Sequence, residues 1–327
     1  MADLATPIVG VDIGGTKCAV LIGSPDGKIL RKTVFPTDTA GGLDKTLQNL
    51  WKAIAEMLTH TNGLPPVFGI SCGGPMNSRE GLVLSPPNLP GWDRVPITAL
   101  ITGRFGGRAY LMNDANAGAL AEWTWGAAQG TKDAIFLTFG TGMGSGIIIN
   151  GRMHAGRDDL AGEVGHVRMA DEGPVGFNKA GSFEGFCSGG GITRLAQSRI
   201  RAAWARGEAV GFCADEAACE QLALKTVVDA ARAGDPMAKG VFETSAFQLG
   251  RGLAILVDIL NPEVIAIGSV FARCEDLLRP TAMRVLAEEA LPDAVKRCKI
   301  VPAGLGEAIG DYAALAVAFA GRSGNLD

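Results

Sequence analysis

A glycine-centred hairpin occurs twice in this chain, and that repetition constrains the fold more than any other feature of the sequence. The apolar run Pro7 to Val11 leads into Asp12-Ile13-Gly14-Gly15-Thr16, and a second apolar run, Cys18 to Ile22, follows. Two short apolar segments joined by a glycine turn read as a β-hairpin. The layout returns 126 residues later, counted from Gly14 to Gly140: Ile135 to Phe139, then Gly140-Thr141-Gly142-Met143-Gly144, then Ser145 to Ile149. Self-similarity at mid-chain points to a duplicated α/β unit with a cleft between the halves. Chance recurrence of a common turn is the competing explanation.

The remaining pattern suits such a unit. Strands are expected at Lys28 to Val34, Val67 to Ser71, Ala109 to Met112, Val264 to Ile267 and Lys299 to Val301. Leu43, Leu47, Leu50, Trp51, Ile54, Met57 and Leu58 recur at helical spacing and predict a helix from Gly42 to His60. Further helices are expected over Ala115 to Trp125, Cys219 to Arg232, Pro236 to Leu260, Leu277 to Ala290 and Ala308 to Ala320, with Asn261-Pro262 as a stop.

Composition narrows the function classes. The 327 residues, 47% hydrophobic and 20% charged, suffice for two domains at roughly 100–200 residues each. Glycine, at 46 residues, stands at about twice its ordinary share, without the period of collagen. Clustered glycines let backbone approach a ligand closely. A net charge of −4 advertises no basic surface for nucleic acid or anionic membrane. Seven scattered cysteines without a C-x-x-C pair imply free thiols in a reducing cytoplasm. Asp3 stands where a signal peptide would carry lysine or arginine, and no apolar stretch reaches membrane-span length. The expectation is a soluble, cytoplasmic protein.

Neither a P-loop nor a complete G-x-G-x-x-G fingerprint is present, since Ser145 stands where the third glycine would be. Glycine turns with threonine can still offer backbone N–H groups to phosphate; plain hairpin geometry is the alternative. Asp12, beside such a turn, either meets a magnesium ion through water or caps an Asx-turn. Asn113-Asp114 follows a strand and precedes a helix, the edge where open α/β sheets bind ligands. Asp114 there either caps the helix or takes a proton from a substrate hydroxyl. Glu163-x-x-His166 is half of a di-iron motif, but the other histidines, His60 and His154, do not follow a glutamate at that spacing.

Taken together, DIGGTK (12–17), GISCGGP (69–75), PPNLPGW (86–92), LMNDANAGALAEW (111–123), TFGTGMGSGIIINGRMHAG (138–156), GEVGH (162–166) and NPEVIAIGS (261–269) resemble the ROK family of repressors and sugar kinases. The resemblance implies a two-lobed, actin-like ATPase (ribonuclease H-like) α/β fold, with 1–125 plus 308–327 as one lobe and 126–307 as the other. It implies transfer of the ATP γ-phosphoryl group to a hexose, glucose first, with N-acetylglucosamine or N-acetylmannosamine as alternatives. Asp114 matches the catalytic base. Gly14, Gly15, Thr16 and Lys17 match the first phosphate motif, Gly140, Thr141 and Gly142 the second, and Gly268-Ser269 the adenosine motif, where many relatives have a second glycine. Gly74, Asn88, Asn113, Asp114, Glu163, His166 and Glu184 fall on sugar-contact positions. Mg2+ near Asp12 and a homo-oligomer, a dimer first, complete the expectation.

One departure is plain. Where most bacterial relatives carry three zinc-binding cysteines, this chain has Val175, Phe177 and Ser182. Valine and phenylalanine supply no ligand to zinc, so no zinc is expected. His166 should then be oriented by hydrogen bonds, and Val175 and Phe177 should pack the loop hydrophobically. A non-catalytic sugar-binding regulator is the reading from another class. Repressor relatives carry a winged helix before the first phosphate motif, which here begins near residue 8.

Overall fold

The computed structural model describes residues 8–59, 65–324 and 326. Asp3, Pro7 and His60 of the sequence reading lie outside the described residues. Two five-stranded sheets dominate. The first is built from β1 (Ile8–Ile13), β2 (Lys17–Gly23), β3 (Ile29–Pro36), β4 (Val67–Cys72) and β5 (Arg108–Asn113), in the order β3-β2-β1-β4-β5. β1 and β2 form the expected antiparallel hairpin, from Ile8 opposite Gly23 to Ile13 opposite Cys18. β4 lies parallel to β1, and β5 parallel to β4.

The second sheet contains β6 (Ala134–Phe139), β7 (Met143–Ile149), β8 (Arg152–Met153), β9 (Val264–Ile267) and β10 (Lys299–Pro302), in the order β8-β7-β6-β9-β10. The two orders are the same permutation: a consecutive three-strand meander followed by two strands on the other side. β9 and β10 are added in parallel, as β4 and β5 are. A chance pair of glycine turns would not carry the rest of the sheet with it, so the repeat is one of architecture. The chain divides into two compact units, the first comprising 1–132, 146–161 and 304–327, the second 133–145 and 162–303.

β4 and β9 are buried at every residue, as continuous apolar runs in covered parallel sheets are. In the first unit α1 (Gly42–Leu58) buries the apolar face read from its spacing. α2 (Asp114–Trp125) and the closing helix Ile309–Arg322 also pack there. Gly69 makes that second contact possible: a Cβ there would lie 2.1 Å from the Ala318 nitrogen. Glu122 of α2 is fully buried and accepts three backbone N–H bonds, from Ala127 (2.7 Å), Gly304 (2.9 Å) and Leu305 (2.9 Å). One carboxylate thus joins the end of α2 to the chain's return into this unit.

In the second unit the expected helix from Cys219 to Arg232 is two helices, Glu216–Glu220 and Leu224–Arg232. Asp215 starts the first early by accepting from the Ala218 N–H, and Ala223 is extended (ψ 146°) before the second begins. A further helix, α3 (Gly189–Ala205), was not expected. Its three opening glycines have poor helix propensity, which hides the apolar spacing of Ile192, Ala196, Ile200 and Ala203 behind them. α4 (Pro236–Leu260) ends where expected, at Asn261 in the left-handed conformation. Among the described residues, no helix is long and apolar enough to cross a membrane.

Candidate functional site

In the first unit, strand pairing gathers the predicted residues at one sheet edge. Asp12 is opposite Ser71, Ile13 opposite Cys72, and Cys72 opposite Asn113. The carboxyl ends of β1, β4 and β5 therefore lie side by side, at the edge where parallel sheets bind ligands. Beyond β5, Asn113 caps α2 by accepting from the Ala115 N–H at 2.9 Å. Asp114 is the first residue of the helix and exposed, with a carboxylate oxygen 2.8 Å from the same N–H. Gly74 lies against Asn113; a Cβ on it would meet the Asn113 Nδ2 at 3.3 Å.

The first glycine turn is braced from two directions. The Thr37 hydroxyl donates to the Gly14 carbonyl (2.6 Å), and the Thr37 N–H to the Thr16 carbonyl (2.9 Å). Asn88 presses so closely that a Cβ on Gly15 would sit 2.6 Å from the Asn88 Cβ. Asn88, Gly15 and the turn thus form one group. Thr16 and Lys17 are exposed at its tip.

Asp12 shows the geometry of only one of its alternatives to be absent. Among the described residues no hydrogen bond reaches its carboxylate, so it caps no Asx-turn. Burial, then the charges of Asp114 and Asp311, raise its carboxyl to about 7 against the opposing pull of Lys17 and Lys32. A desolvated carboxylate beside two others, without donors of its own, suits a hard cation. Among the described residues no cluster of three or more metal-ligating side chains occurs. The neighbouring Cys72 thiol is pushed far up by burial, then by Asp114 and Asp12, which leaves it inert as a nucleophile.

Sequence reasoning missed Asp311 and Lys32, which pair at 2.6 Å and act on Asp12. Local spacing carries no signal for a pair 279 positions apart. A cavity of about 840 Å³ in the first unit, lined in part by Arg79, Tyr110, Arg152 and His154, holds none of the predicted site residues.

In the second unit, the Gly140-Thr141-Gly142 turn backs onto the start of α3. The Gly189 N–H donates to the Gly140 carbonyl (2.7 Å), and Ser188 caps the helix through Gly191 (2.9 Å). Helix N-termini favour anions. The signal for this neighbour was present as Ser188-Gly189-Gly190-Gly191, a cap followed by residues without side chains. Glu184 accepts from the Met143 N–H at 3.1 Å, directly after the turn. Gly165, between Glu163 and His166, has the Glu184 Cβ 3.3 Å from where its own would be. Glu184 and the segment that carries Glu163 and His166 therefore meet beside this turn. Gly268 follows β9, with its N–H on the Leu137 carbonyl (2.9 Å), and Ser269 takes φ 51°, ψ −104°.

The stretch without the cysteines corrects two expectations. Val175 and Phe177 are 47% and 62% exposed, so they do not pack the loop hydrophobically. Backbone bonds close it instead, including Met169 to Gly181 (2.8 Å) and Phe183 to Val167 (2.8 Å). Ser182 is buried and caps the helix that carries Glu184. The hydrogen bonds expected to orient His166 are not seen at its imidazole among the described residues; the ring lies edge-to-face with Phe177, 5.1 Å away between centroids.

The ROK family model matches residues 8–320. The chain is 30% identical to the glucokinase of Thermotoga maritima over 311 residues, which is 95% of this chain and 96% of that one. It is 28% identical to the N-acetylmannosamine kinase of Shigella flexneri over 285 residues, 86% and 89% of the two chains. A ROK family glucokinase from Streptomyces griseus, solved with glucose and AMPPNP, matches with a TM-score of 0.73 at 29% identity, covering 95% of this chain and 98% of that chain.

Proposed function

Because the chain belongs to the ROK family and has its two-lobed actin-like ATPase fold, we propose that it transfers the γ-phosphoryl group of ATP to a hexose hydroxyl, with Asp114 as general base. The observation that carries this reading is the exposed Asp114 carboxylate at the carboxyl end of β5, on the same sheet edge as the bare carboxylate of Asp12. Asp114 takes the hydroxyl proton as the sugar oxygen bonds to phosphorus in line, and the bond to the ADP oxygen breaks. Such assistance typically contributes about 10²–10⁴ in rate, and positioning supplies much of the rest.

Gly14, Gly15, Thr16 and Lys17 are assigned to the phosphates as one turn with one cation, and Gly140, Thr141 and Gly142 as a second; the Gly14 and Gly140 N–H groups close the turns themselves, on the Lys17 and Gly142 carbonyls (3.1 Å each). Gly268 and Ser269 are assigned to the adenosine. Asp12 would hold Mg2+ through water, and the ion supplies neutralisation of phosphate charge. Gly74, Asn88, Asn113, Glu163, His166 and Glu184 are assigned to the sugar, whose ring of hydroxyls needs both acceptors and donors. Glucose is the first substrate of this reading. N-acetylmannosamine and N-acetylglucosamine follow, the first supported by the likeness to the Shigella enzyme.

Glucose, N-acetylglucosamine and N-acetylmannosamine, each incubated with ATP and Mg2+, should separate the substrates by ADP release. Asp114→Asn should lower kcat by roughly 10²–10⁴ while calorimetry finds sugar binding retained. Normal turnover in that variant would remove Asp114 from the mechanism. Sugar binding without turnover in the unaltered protein would favour a regulator instead.

A further inference from the structure

Phenylalanine at 177 is explained neither by its turn nor by the core. Val175–Gly176 and Lys179–Ala180 form a small antiparallel hairpin whose two central residues, Phe177 and Asn178, take φ 39° and 62°. A turn with two positive φ values favours asparagine and glycine. Asn178 obeys that rule. Phe177 does not, because a bulky side chain is strained in the left-handed region. With 62% of its surface exposed, it gains little from burial either.

What the ring does touch is His166, at 5.1 Å between centroids and 78° between planes, the edge-to-face arrangement that aromatic pairs prefer. The hairpin is tied to the His166 segment so that this contact is held in register. Lys179 Nζ donates to the His166 carbonyl (2.7 Å), and the Arg168 guanidinium to the Ala180 carbonyl (2.8 Å). Gly176 fits tightly against the helix that carries Glu184; a Cβ there would lie 2.6 Å from the Gly185 nitrogen.

We propose that Phe177 is a positioning residue, which fixes the orientation of the His166 imidazole so that its nitrogens meet the hexose in one pose. The proposal rests on the reading of His166 as a sugar contact. A held ring loses no rotamer freedom on binding, so its benefit falls on sugar affinity rather than on the chemical step.

The test uses the full chain. Phe177→Ala should raise the hexose KM roughly three- to tenfold, with kcat and the ATP KM little changed. Phe177→Tyr should restore the KM, and Phe177→Leu, similar in bulk but without a ring, should not. Phe177→Asn relieves the turn, so its Tm should rise while its hexose KM worsens. A purely structural role would not produce that opposition. The chain has three histidines, so proton NMR, with His166 assigned through His166→Asn, should show a ring-current displacement that Phe177→Ala abolishes. A Phe177→Ala KM within twofold of the unaltered protein, equal rescue by leucine, or an unmoved His166 resonance would overturn the proposal. If the unaltered protein phosphorylates none of the hexoses, the kinase reading fails by itself, and the imidazole spectrum still decides the ring contact.

Discussion

Two residues before its first glycine, the hairpin of the first unit carries Asp12 and that of the second carries Thr138. The Thr138 hydroxyl accepts the Gly144 N–H at 2.8 Å and closes its own turn. The Asp12 carboxylate accepts no hydrogen bond among the described residues and is raised to about 7 by burial and by Asp114 and Asp311. The glycines differ in the same direction. A Cβ on Gly15 would collide with Asn88, whereas one on Gly140 would meet no protein atom within 4 Å. A duplicated backbone device has thus been specialised twice. One copy holds a buried carboxylate and leans on Asn88; the other closes its turn through Thr138 and leaves open space above Gly140, while Gly142 abuts Glu184.

The largest effect that would break this contrast is expected from Asp12→Asn. Removing a charge-stabilising group of this kind typically costs about 10²–10³ in kcat. Stability should move the other way. The ordinary carboxyl value of 3.8 applies to the unfolded chain, and about 7 to the folded one. Between those values the unfolded state binds fewer protons, so metal-free stability falls as pH rises and the loss is complete above about 7. The loss is on the order of 2–4 kcal/mol. Asparagine should abolish this slope, giving a higher Tm than the unaltered protein at pH 8 and an equal one at pH 4. Parallel melting curves at both pH values would sink the assignment.

Next in size is a matched pair of alanine substitutions. Gly15→Ala must displace Asn88 and should cost about 1–3 kcal/mol, with a raised hexose KM. Gly140→Ala should leave stability within about 0.5 kcal/mol yet raise the ATP KM. Chemical denaturation beside steady-state kinetics separates the two, and an equal stability loss in both would erase the contrast. Thr138→Val should cost about 1 kcal/mol for the lost hydrogen bond, with kcat unchanged. The smallest effect extends the comparison to a turn without the second glycine. Ser269, at φ 51°, is strained where glycine is not, so Ser269→Gly should stabilise by roughly 1 kcal/mol.

What the sequence disclosed follows how locally each feature is encoded. The two glycine hairpins, the main strands and the Asn113-Asp114 step depend on neighbouring residues and were legible, whereas the small hairpin of Val175–Gly176 and Lys179–Ala180 was not. α3 was hidden because its opening glycines serve close approach to the Gly140 turn at the expense of propensity. Asp311 was hidden because its relevance to Asp12 exists only after the closing helix has packed onto the first sheet. Phe177 was read as loop packing, since hydrophobicity is visible in a sequence and a positive φ is not.

Glu122 has a consequence for how mutational data on this chain should be read. No neutral side chain accepts three backbone N–H groups through two oxygens as a buried carboxylate does, and even glutamine would turn an amide donor toward donors. In a library of random variants selected for growth, position 122 should empty as thoroughly as position 114. A map of intolerance taken at face value would then credit the wrong acid with chemistry, and abundance measured alongside activity would tell the two apart.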